Sequence, residues 1–477
     1  MKIFELITHF VFMMALGYYL ITALQWYSYK IKRVLFHYNK PAWHFLFFIL
    51  PIFIYYFAGK WAWIYIYFAY IPWLIAWHKR LDKPLVFTKR VKRFLTFLAF
   101  FTIFQDLLCF FTQKCVNYGL FLPIIAAIFF GTFYEKLLFH GFYKRAQKKL
   151  KKNPNLIIIA ITASFGKTSI KHFLYEILSK KYKCYHSPNS INTLTGLVQD
   201  VNTSLSEDVE VYIAEAGARE EGDIEEIAKF LEPQVVIVGE IGLQHIEYFK
   251  TLERVRNTKM ELTLSPSLKK AFVHKSANIA PSEVVVEYGD ELVEIDASLE
   301  GTIFKTLIEG KEDSFETPIL GEFSARNLLA AILVAKYLKV DDLKIKDAIK
   351  NLKHTPHRLE PIRVGGKLIL DDSYNGNRSG MELSYKLASL FLGRKVLITP
   401  GIVESNDSEN ALLGKAINEV FDVVIISSPL NAQVLLKELK KPKVHILKDK
   451  KKLEELLAAV TKEGDLILFS NDAPSYI

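Results

Sequence analysis

The sequence predicts a membrane-embedded helical domain followed by two α/β domains. Three observations support this fold class: long apolar runs fill the first third, short β-branched runs alternate with amphipathic stretches after residue 156, and a Gly-Lys-Thr turn follows the first such run. A length of 477 residues with 51% hydrophobic content is enough for about three domains. We assign them to residues 1–150, 151–353 and 354–477.

The first third contains five apolar runs of near-spanning length. Trp and Tyr crowd their ends, as at a lipid headgroup boundary. The connecting segments 29–42 and 78–93 and the segment after 135 are strongly basic, so the positive-inside rule places them in the cytoplasm. A soluble helical domain is the alternative, which run length and loop asymmetry disfavour. The expected spans are 4–27, 43–58, 61–77, 94–111 and 118–133.

This arrangement predicts a multi-pass inner-membrane protein with its N-terminus outside and everything after about residue 140 in the cytoplasm. Asp106 lies inside the fourth apolar run, where an acid is a functional-site candidate. The net charge of +10 is concentrated beside the apolar runs, and no nucleic-acid reader motif accompanies it, so no nucleic-acid partner is expected. The three cysteines form no CxxC pair, which indicates neither a zinc site nor a disulfide framework.

The most informative stretch is the segment 158–169, Ile-Ile-Ala-Ile-Thr-Ala-Ser-Phe-Gly-Lys-Thr-Ser. It is typical of a buried strand, a small-residue turn and the start of a helix, which together form a P-loop. Backbone N–H groups of such a turn face phosphates, Lys167 adds a positive charge, and the Thr168 hydroxyl can hold Mg²⁺. The segment therefore predicts an ATP site, although a tight strand-to-helix turn without a ligand is the simpler alternative.

The rest of the chain alternates strands and helices, which predicts parallel sheets. In the central domain the strands are 156–161, 209–214 and 235–238; residues 270–318 are expected to form an antiparallel insertion, and a helix covers 324–338. The domain boundary falls near 353–361. The C-terminal, Rossmann-like α/β domain is expected to place strands at 368–370, 395–399, 423–427, 444–447 and 465–469.

Further polar residues follow predicted strands, where open α/β sheets bind ligands. Glu215 ends the strand Tyr-Ile-Ala-Glu and is suited to Mg²⁺. His245, in Gly-Leu-Gln-His, and Lys259 suggest little by themselves. In the C-terminal domain, the segments 357–360 (His-Arg-Leu-Glu) and 371–377 (Asp-Asp-Ser-Tyr-Asn-Gly-Asn) carry more buried polar groups than a simple turn needs, which indicates a ligand.

In this order, the motifs resemble those of the Mur ligase family, the ATP-dependent amide-bond enzymes of peptidoglycan synthesis. The resemblance covers about residues 156–477 and is strongest to the branch that adds D-alanyl-D-alanine to a UDP-muramoyl-tripeptide. It implies ATP and Mg²⁺ as cofactors, and the residues implied to bind ATP are Ser164, Gly166, Lys167, Thr168, Ser169, Asn327, Arg358 and Asp372. The implied metal ligands are Thr168, Glu215, His245 and a carbamylated Lys259. Lys167, Lys259 and His245 are the implied catalytic residues, and Asn375 and Asn377 the implied substrate-binding ones.

Some positions differ from the family pattern. Ala163 stands where the loop usually has glycine, Phe323-Ser324 replace a His-Asn pair, and Arg378 replaces a proline. The family's small uridine-nucleotide-binding domain is replaced by the membrane domain. Membrane lipid and membrane-step enzymes of cell-wall synthesis are therefore expected partners, beside the two substrates.

The resemblance implies acyl activation: the terminal carboxylate of the tripeptide is phosphorylated by ATP, and the acyl phosphate then reacts with the amine of D-alanyl-D-alanine. Two alternatives remain at this point, namely a ligase for another, lipid-linked carboxylate and a membrane scaffold with a decayed ligase domain. A transport ATPase is disfavoured, because the sequence has neither a second nucleotide-binding unit nor an obvious polar pathway through the spans.

Overall fold

The structure is a computed structural model of the whole chain. It describes residues 2–27, 29–31, 34, 41–81, 83–112, 122–242, 249, 251–374, 376–403, 405–447 and 449–471. The chain divides into two compact units, one holding Met1–Gly141 and the other Phe142–Ala473.

The described part of the first unit is helical. Its α-helices are α1 Lys2–Trp26, α2 Pro41–His44, α3 Leu50–Ala58, α4 Ala62–Tyr65, α5 Ile71–Lys79, α6 Lys89–Thr112 and α7 Leu122–Lys152, the last of which continues into the second unit. Turns of π-helix, Phe45–Ile49 and Ile66–Tyr70, join α2 to α3 and α4 to α5.

The number of long apolar helices differs from the prediction. Three helices, Ile3–Trp26, Lys89–Thr112 and Leu122–Lys152, are long and apolar enough to cross a membrane, judged by length and composition. The predicted second span is a shorter apolar helix, Ala42–Ala58, and the third forms a helical pair with it around Gly59, whose φ is +52°. The predicted fifth span, from 118, begins outside the described residues. The corresponding helix is described from Leu122 onward.

Helices α1 and α6 approach each other closely. A Cβ on Gly17 would lie 2.1 Å from Leu98 Cδ2, so only glycine allows this spacing. Further along the same pair, His9 Nδ1 lies 2.7 Å from Asp106 Oδ1, and both side chains are buried. Asp106, a functional candidate by sequence, is therefore one half of a buried pair that joins the two helices.

The central domain is built on a six-stranded parallel sheet of order β2-β3-β1-β4-β5-β6. Its helices include α8 Lys167–Leu178, α9 Leu194–Thr203, α10 Asp223–Leu231 and α11 Leu252–Met260. Apolar residues of α8 fill one layer of the core against β1, β3 and β4. The strands are β1 Ile157–Thr162, β2 Cys184–His186, β3 Val211–Glu215, β4 Val235–Val238, β5 Lys270–His274 and β6 Val285–Tyr288.

The prediction of an antiparallel insertion over 270–318 was wrong for its first half. Strands β5 and β6 pair in parallel within the main sheet, and Ala271, Phe272 and Val273 are all buried, as in a strand covered on both faces. Only β7 Leu292–Ala297, β8 Thr302–Ile308 and β9 Lys311–Thr317 form an antiparallel sheet. Helices α12 Glu322–Tyr337 and α13 Asp342–Lys350 complete the domain.

The C-terminal domain has its own six-stranded sheet, of order β10-β11-β15-β12-β13-β14, parallel except for the edge strand β10. In the link before it, His357 and Leu359 have left-handed φ angles of +62° and +54°. The strands are β10 Glu360–Val364, β11 Lys367–Asp372, β12 Lys395–Thr399, β13 Val423–Ile426, β14 Lys443–Ile446 and β15 Leu466–Ser470. The helices are α14 Arg378–Ser389, α15 Asp407–Val420, α16 Ala432–Glu438 and α17 Leu453–Val460.

Candidate functional site

The loop after β1 turns sharply at Gly166 to begin α8. Gly166 adopts φ +78°, which favours glycine, and a Cβ there would lie 2.4 Å from Asn327 Oδ1. Asn327, on the first turns of α12, therefore lies directly against the loop; its implied part in binding ATP stays a prediction. Helix α8 begins immediately after this turn with Gly166 as its N-cap, and a helix N-terminus is where an anion can bind.

Thr168 and Glu215 come together at the carboxyl ends of the neighbouring strands β1 and β3. Thr168 Oγ1 donates a hydrogen bond of 3.2 Å to Glu215 Oε2. Both residues are buried, Glu215 completely. The structure thus brings together two of the four predicted metal ligands.

Lys171 is the partner of Glu215 that sequence reasoning missed. Its Nζ lies 2.8 Å from Glu215 Oε1, and neither side chain is exposed. The same ammonium donates hydrogen bonds to the carbonyls of Ser187 (2.8 Å) and Asn189, so it also holds the loop after β2. The available signal was its position on α8 between Ile170 and Phe173, on the apolar face of the helix.

Two further lysines approach the loop. Lys167 Nζ donates to the carbonyl of Ala163 at 2.7 Å, and burial lowers the pKa of Lys167 to about 8. Lys259, at the end of α11, is 1% exposed; burial and then the charge of Lys167 hold its pKa well below the ordinary value. Within the described part of the chain, Lys259 Nζ forms no hydrogen bond or ion pair. The loop therefore has one lysine that is held by backbone carbonyls and a second, buried lysine that burial drives toward the uncharged form.

Ser164 ties the phosphate loop to the loop after β4. Its hydroxyl donates to the carbonyl of Gly242 at 3.0 Å, while its N–H donates to the carbonyl of Glu240 at 2.9 Å. A side chain at Gly242 would collide with the Phe165 ring at 2.8 Å. Ser169 lies on the first turn of α8 and is half-buried. The buried Ser164 side chain thus holds the two loops together by hydrogen bonding.

Arg358 reaches the site from the C-terminal domain. Its charge adds to the effect of burial in lowering the pKa of Lys167, and the charge of Glu215 in turn raises the pKa of Arg358 against a larger lowering by burial, so the three side chains lie within electrostatic range of one another. The guanidinium stacks on the Tyr374 ring at 4.2 Å and donates to the Tyr374 carbonyl at 3.0 Å. Asp372 accepts a 2.7 Å hydrogen bond from Ser384 Oγ, and burial raises its pKa.

The two predicted substrate asparagines have different outcomes. Asn377 is the N-cap of α14: its Oδ1 accepts a 3.0 Å hydrogen bond from the Gly380 N–H. Its substrate role remains a prediction. Asn375 and His245 lie outside the described residues. Arg378, the departure from proline, forms ion pairs with Glu409 (2.7 Å) and Glu382 (3.3 Å).

Three buried asparagines gather at the carboxyl ends of the C-terminal strands and were not predicted. Asn410 Oδ1 accepts from the N–H of Ile402, and Asn431 Nδ2 donates to the carbonyl of Pro400. Asn471 connects the Gly376 N–H to the Gly401 carbonyl. They fix the turn at Gly401, where a Cβ would lie 2.5 Å from Asn410 Oδ1.

The residues fit a nucleotide and a metal ion on two observations. The first is that Asn327 Nδ2 is buried without a hydrogen-bond partner, whereas buried polar atoms normally have one. The second is that Thr168 and Glu215 bring together oxygen atoms of the kind that Mg²⁺ prefers. Among the described residues no group of three or more His, Cys, Asp and Glu side chains forms a metal cage.

Comparison with known proteins agrees with this geometry. Residues 161–335 match the profile of the Mur ligase middle domain, which contains Ser164, Lys167, Thr168, Glu215, Lys259 and Asn327. The central domain is a Mur ligase middle domain. This confirms the family resemblance that the motifs indicated.

Relatives found by sequence share one name, and a solved structure shares the fold of this chain. Over 336 residues the chain is 26% identical to the UDP-N-acetylmuramoyl-tripeptide--D-alanyl-D-alanine ligase of Bacillus subtilis, covering 65% of this chain and 72% of that protein. Identity to the ligase of the same name from Borreliella burgdorferi is 29%, over 56% of this chain and 61% of the relative. The MurF ligase of Thermotoga maritima, solved in complex with ADP, superposes with a TM-score of 0.61 at 24% identity, covering 71% of this chain and 81% of that one. The last comparison shows a common Mur ligase-like fold.

Proposed function

We propose that the protein is an ATP-dependent amide-bond ligase of peptidoglycan precursor synthesis, which adds D-alanyl-D-alanine to UDP-N-acetylmuramoyl-tripeptide. The observation that carries this proposal is the gathering of Lys167, Thr168, Glu215 and Lys259 at one sheet edge, with Arg358 of the C-terminal domain within electrostatic range. The names of the relatives supply the substrates.

The residues of the site fall into two groups, one that would bind the nucleotide and one that would bind the metal ion. The turn from Ser164 to Ser169 would surround the ATP phosphates with N–H groups and the Lys167 ammonium, and Asn327, Arg358 and Asp372 would complete the nucleotide site. Thr168, Glu215, His245 and Lys259 would hold Mg²⁺. The metal supplies charge neutralisation on the phosphate oxygens.

Lys259 is suited to carbamylation, because only an uncharged amine reacts with CO₂ and burial favours the uncharged form. The new carbamate would convert an uncharged amine without a partner into an anionic metal ligand. A carbamate resonance in protein supplied with ¹³C-labelled CO₂, absent from Lys259→Gln, would support this role. Lys269, exposed in the same domain, provides the control position: Lys269→Gln should keep the resonance.

The proposed reaction has two steps, each of which forms one bond and breaks another. An oxygen of the tripeptide carboxylate attacks the γ-phosphorus and ADP leaves. The D-alanyl-D-alanine amine next attacks the acyl carbon, phosphate leaves, and the amine loses a proton. Lys167 and Arg358 stabilise the charge on the transferring group, and the C-terminal domain orients the amine and excludes water.

We place the ligase at the inner membrane, with the catalytic domains in the cytoplasm. The support is the set of three long apolar helices, together with the basic segments that flank them. Membrane-step enzymes of cell-wall synthesis are the partners that this location favours. Fractionation of cells that express the full chain and a chain lacking residues 1–140 tests the location, since only the full chain should be recovered with membranes.

The deciding experiment is phosphate release from ATP by detergent-purified protein, with UDP-muramoyl-tripeptide and D-alanyl-D-alanine supplied separately and together. Release that requires both, and that Lys167→Ala abolishes, supports the proposal. The matched control is Lys180→Ala, an exposed lysine just beyond the same helix. Absence of release under all conditions with folded protein would contradict the use of UDP-muramoyl-tripeptide and would favour a lipid-linked substrate or a scaffold.

The apolar helices also favour a second candidate, a ligase of the same chemistry whose carboxylate substrate is lipid-linked. A membrane-bound substrate would not require a uridine-nucleotide-binding domain. Activity with a lipid-linked muramoyl-tripeptide, but none with the soluble nucleotide form, would select this candidate.

A further inference from the structure

A shallow groove lies between α1, α6 and α7 in the first unit, far in sequence from the ligase motifs. Its lining combines apolar side chains with two arginines and one glutamate. We propose that this groove binds one anionic membrane lipid, whose phosphate contacts Arg90 and whose hydrocarbon chain follows the apolar lining. The lining residues used below are Leu24, Tyr29, Arg90, Arg93, Ile128 and Glu135.

The charges of the groove do not cancel. Arg93 Nε forms an ion pair of 2.6 Å with Glu135 Oε1, which neutralises both. Within the described residues, Arg90 makes no ion pair or hydrogen bond; its guanidinium carbon lies 3.8 Å from the centre of the Tyr29 ring. One positive charge is left beside apolar groups, and a phosphate is the anion that a guanidinium binds best.

Arg90 is held in a fixed place before any ligand arrives. Tyr29 has a left-handed φ of +61°, and its hydroxyl accepts a hydrogen bond from Gln25 Nε2. The Gln25 side chain also exchanges two hydrogen bonds, of 2.8 and 2.9 Å, with the backbone of Val86, just before α6. The stacked Tyr29–Arg90 pair is therefore attached to both α1 and α6, as a built binding site requires.

The apolar lining selects a lipid over a soluble phosphate. Leu24 and Ile128 line the groove, and further along α7 the rings of Phe129 and Phe133 are exposed, as expected of a lipid-facing surface. Basic pockets between spanning helices on the cytoplasmic side bind anionic headgroups. This step rests on the membrane location proposed above, but not on the ligase activity.

The test measures binding of phosphatidic acid to full-length protein in neutral detergent micelles, with phosphatidylcholine as the uncharged-lipid reference. We expect saturable binding of one phosphatidic acid, with Arg90→Gln weakening it about tenfold or more, since a hydrogen bond to a charged group is lost. The matched control is Lys92→Gln, which removes the same charge from an exposed position two residues away. Its affinity should stay within about twofold, as for a screened surface charge.

A second variant fills the groove without touching its charge. Ile128 lines the groove and is half-buried, so Ile128→Trp adds an aromatic ring to the lining. This variant should also weaken binding about tenfold, because the lipid chain is displaced. Retained far-ultraviolet circular dichroism and elution volume show that each variant is folded.

Three results would overturn the proposal: equal weakening by Arg90→Gln and Lys92→Gln, equal binding of phosphatidylcholine, or full competition by millimolar inorganic phosphate. The first would indicate a diffuse charge effect, the second a lipid annulus, and the third a free-anion site. Ligase activity plays no part in these readouts, so failure of this proposal and failure of the proposed function are separable.

Discussion

The buried pair of Lys171 and Glu215 gives the sharpest stability prediction. At 2.8 Å, and with an effective dielectric constant of about 20, the attraction is about 6 kcal/mol. Desolvation offsets most of it, but removing only the lysine leaves a buried, unpaired carboxylate. Lys171→Met should therefore destabilise the central domain by about 3–5 kcal/mol.

Lys180 provides a matched control. It forms an ion pair with Asp347 at the same 2.8 Å, but its side chain is 39% exposed and that of Asp347 59%. Surface pairs contribute about 0–1 kcal/mol, so Lys180→Met should cost at most about 1 kcal/mol. The double variant with Lys171→Met and Glu215→Gln should be more stable than Lys171→Met alone, because no buried charge remains.

Labelling of the Cys184 thiol reports the stability of the central domain by itself. Cys184 lies in β2 and pairs with Val211 of β3, the strand that ends at Glu215. Burial raises the pKa of its thiol to about 11, so it reacts slowly while the domain is folded. Opening of the domain exposes an ordinary thiol. The labelling rate of Cys184, read by peptide mass mapping, should rise by about two to three orders of magnitude in Lys171→Met. A rise no larger than that of Lys180→Met would refute the argument from burial.

Three further predictions concern the phosphate loop and the C-terminal cleft. Because the folded-state pKa of Lys167 is about 8, its positive charge is lost as pH rises through that value; kcat/KM for ATP should fall above pH 8, and Lys167→Arg should move the fall upward. Gly166→Ala should abolish ATP turnover, because its Cβ would collide with the Asn327 side chain. Adding Asn327→Ala should relieve this clash but should not restore full thermal stability, because the φ of +78° still costs alanine about 1–2 kcal/mol. Asn377→Ala should lower the free energy of unfolding by about 1 kcal/mol in a denaturant titration, because the helix cap is lost, whereas Asn377→Asp should keep the cap. A higher KM for D-alanyl-D-alanine in Asn377→Asp would support substrate contact.

The strand, turn and helix around Gly166 could be predicted from sequence because their signal is local. A buried β-branched strand, small residues and Gly166-Lys167-Thr168 all lie within twelve positions. Lys171 could not be assigned with the same ease, since a helical lysine is normally solvated, and its burial depends on Glu215, which lies 44 positions away. A charged residue inside the apolar stripe of a helix is the pattern that would have identified it.

Longer-range features escaped prediction for topological reasons. Parallel strands usually need a crossover of a dozen residues or more, whereas β5 and β6 are joined by only residues 275–284, so the spacing indicated a hairpin. Asn410, Asn431 and Asn471 are dispersed in sequence, and each fits an ordinary loop or helix end. Only the order of the C-terminal sheet brings them to one edge.

The link before the C-terminal domain has a mechanical consequence. Arg358 stands between His357 and Leu359, two left-handed residues that are not glycine, and each such residue stores about 1–2 kcal/mol of backbone energy. The chain thus enters the C-terminal domain through a link whose backbone energy is raised on both sides of Arg358. The surrounding packing must hold this conformation, so the position of the Arg358 guanidinium depends on the backbone of its two neighbours as well as on its stacking against Tyr374.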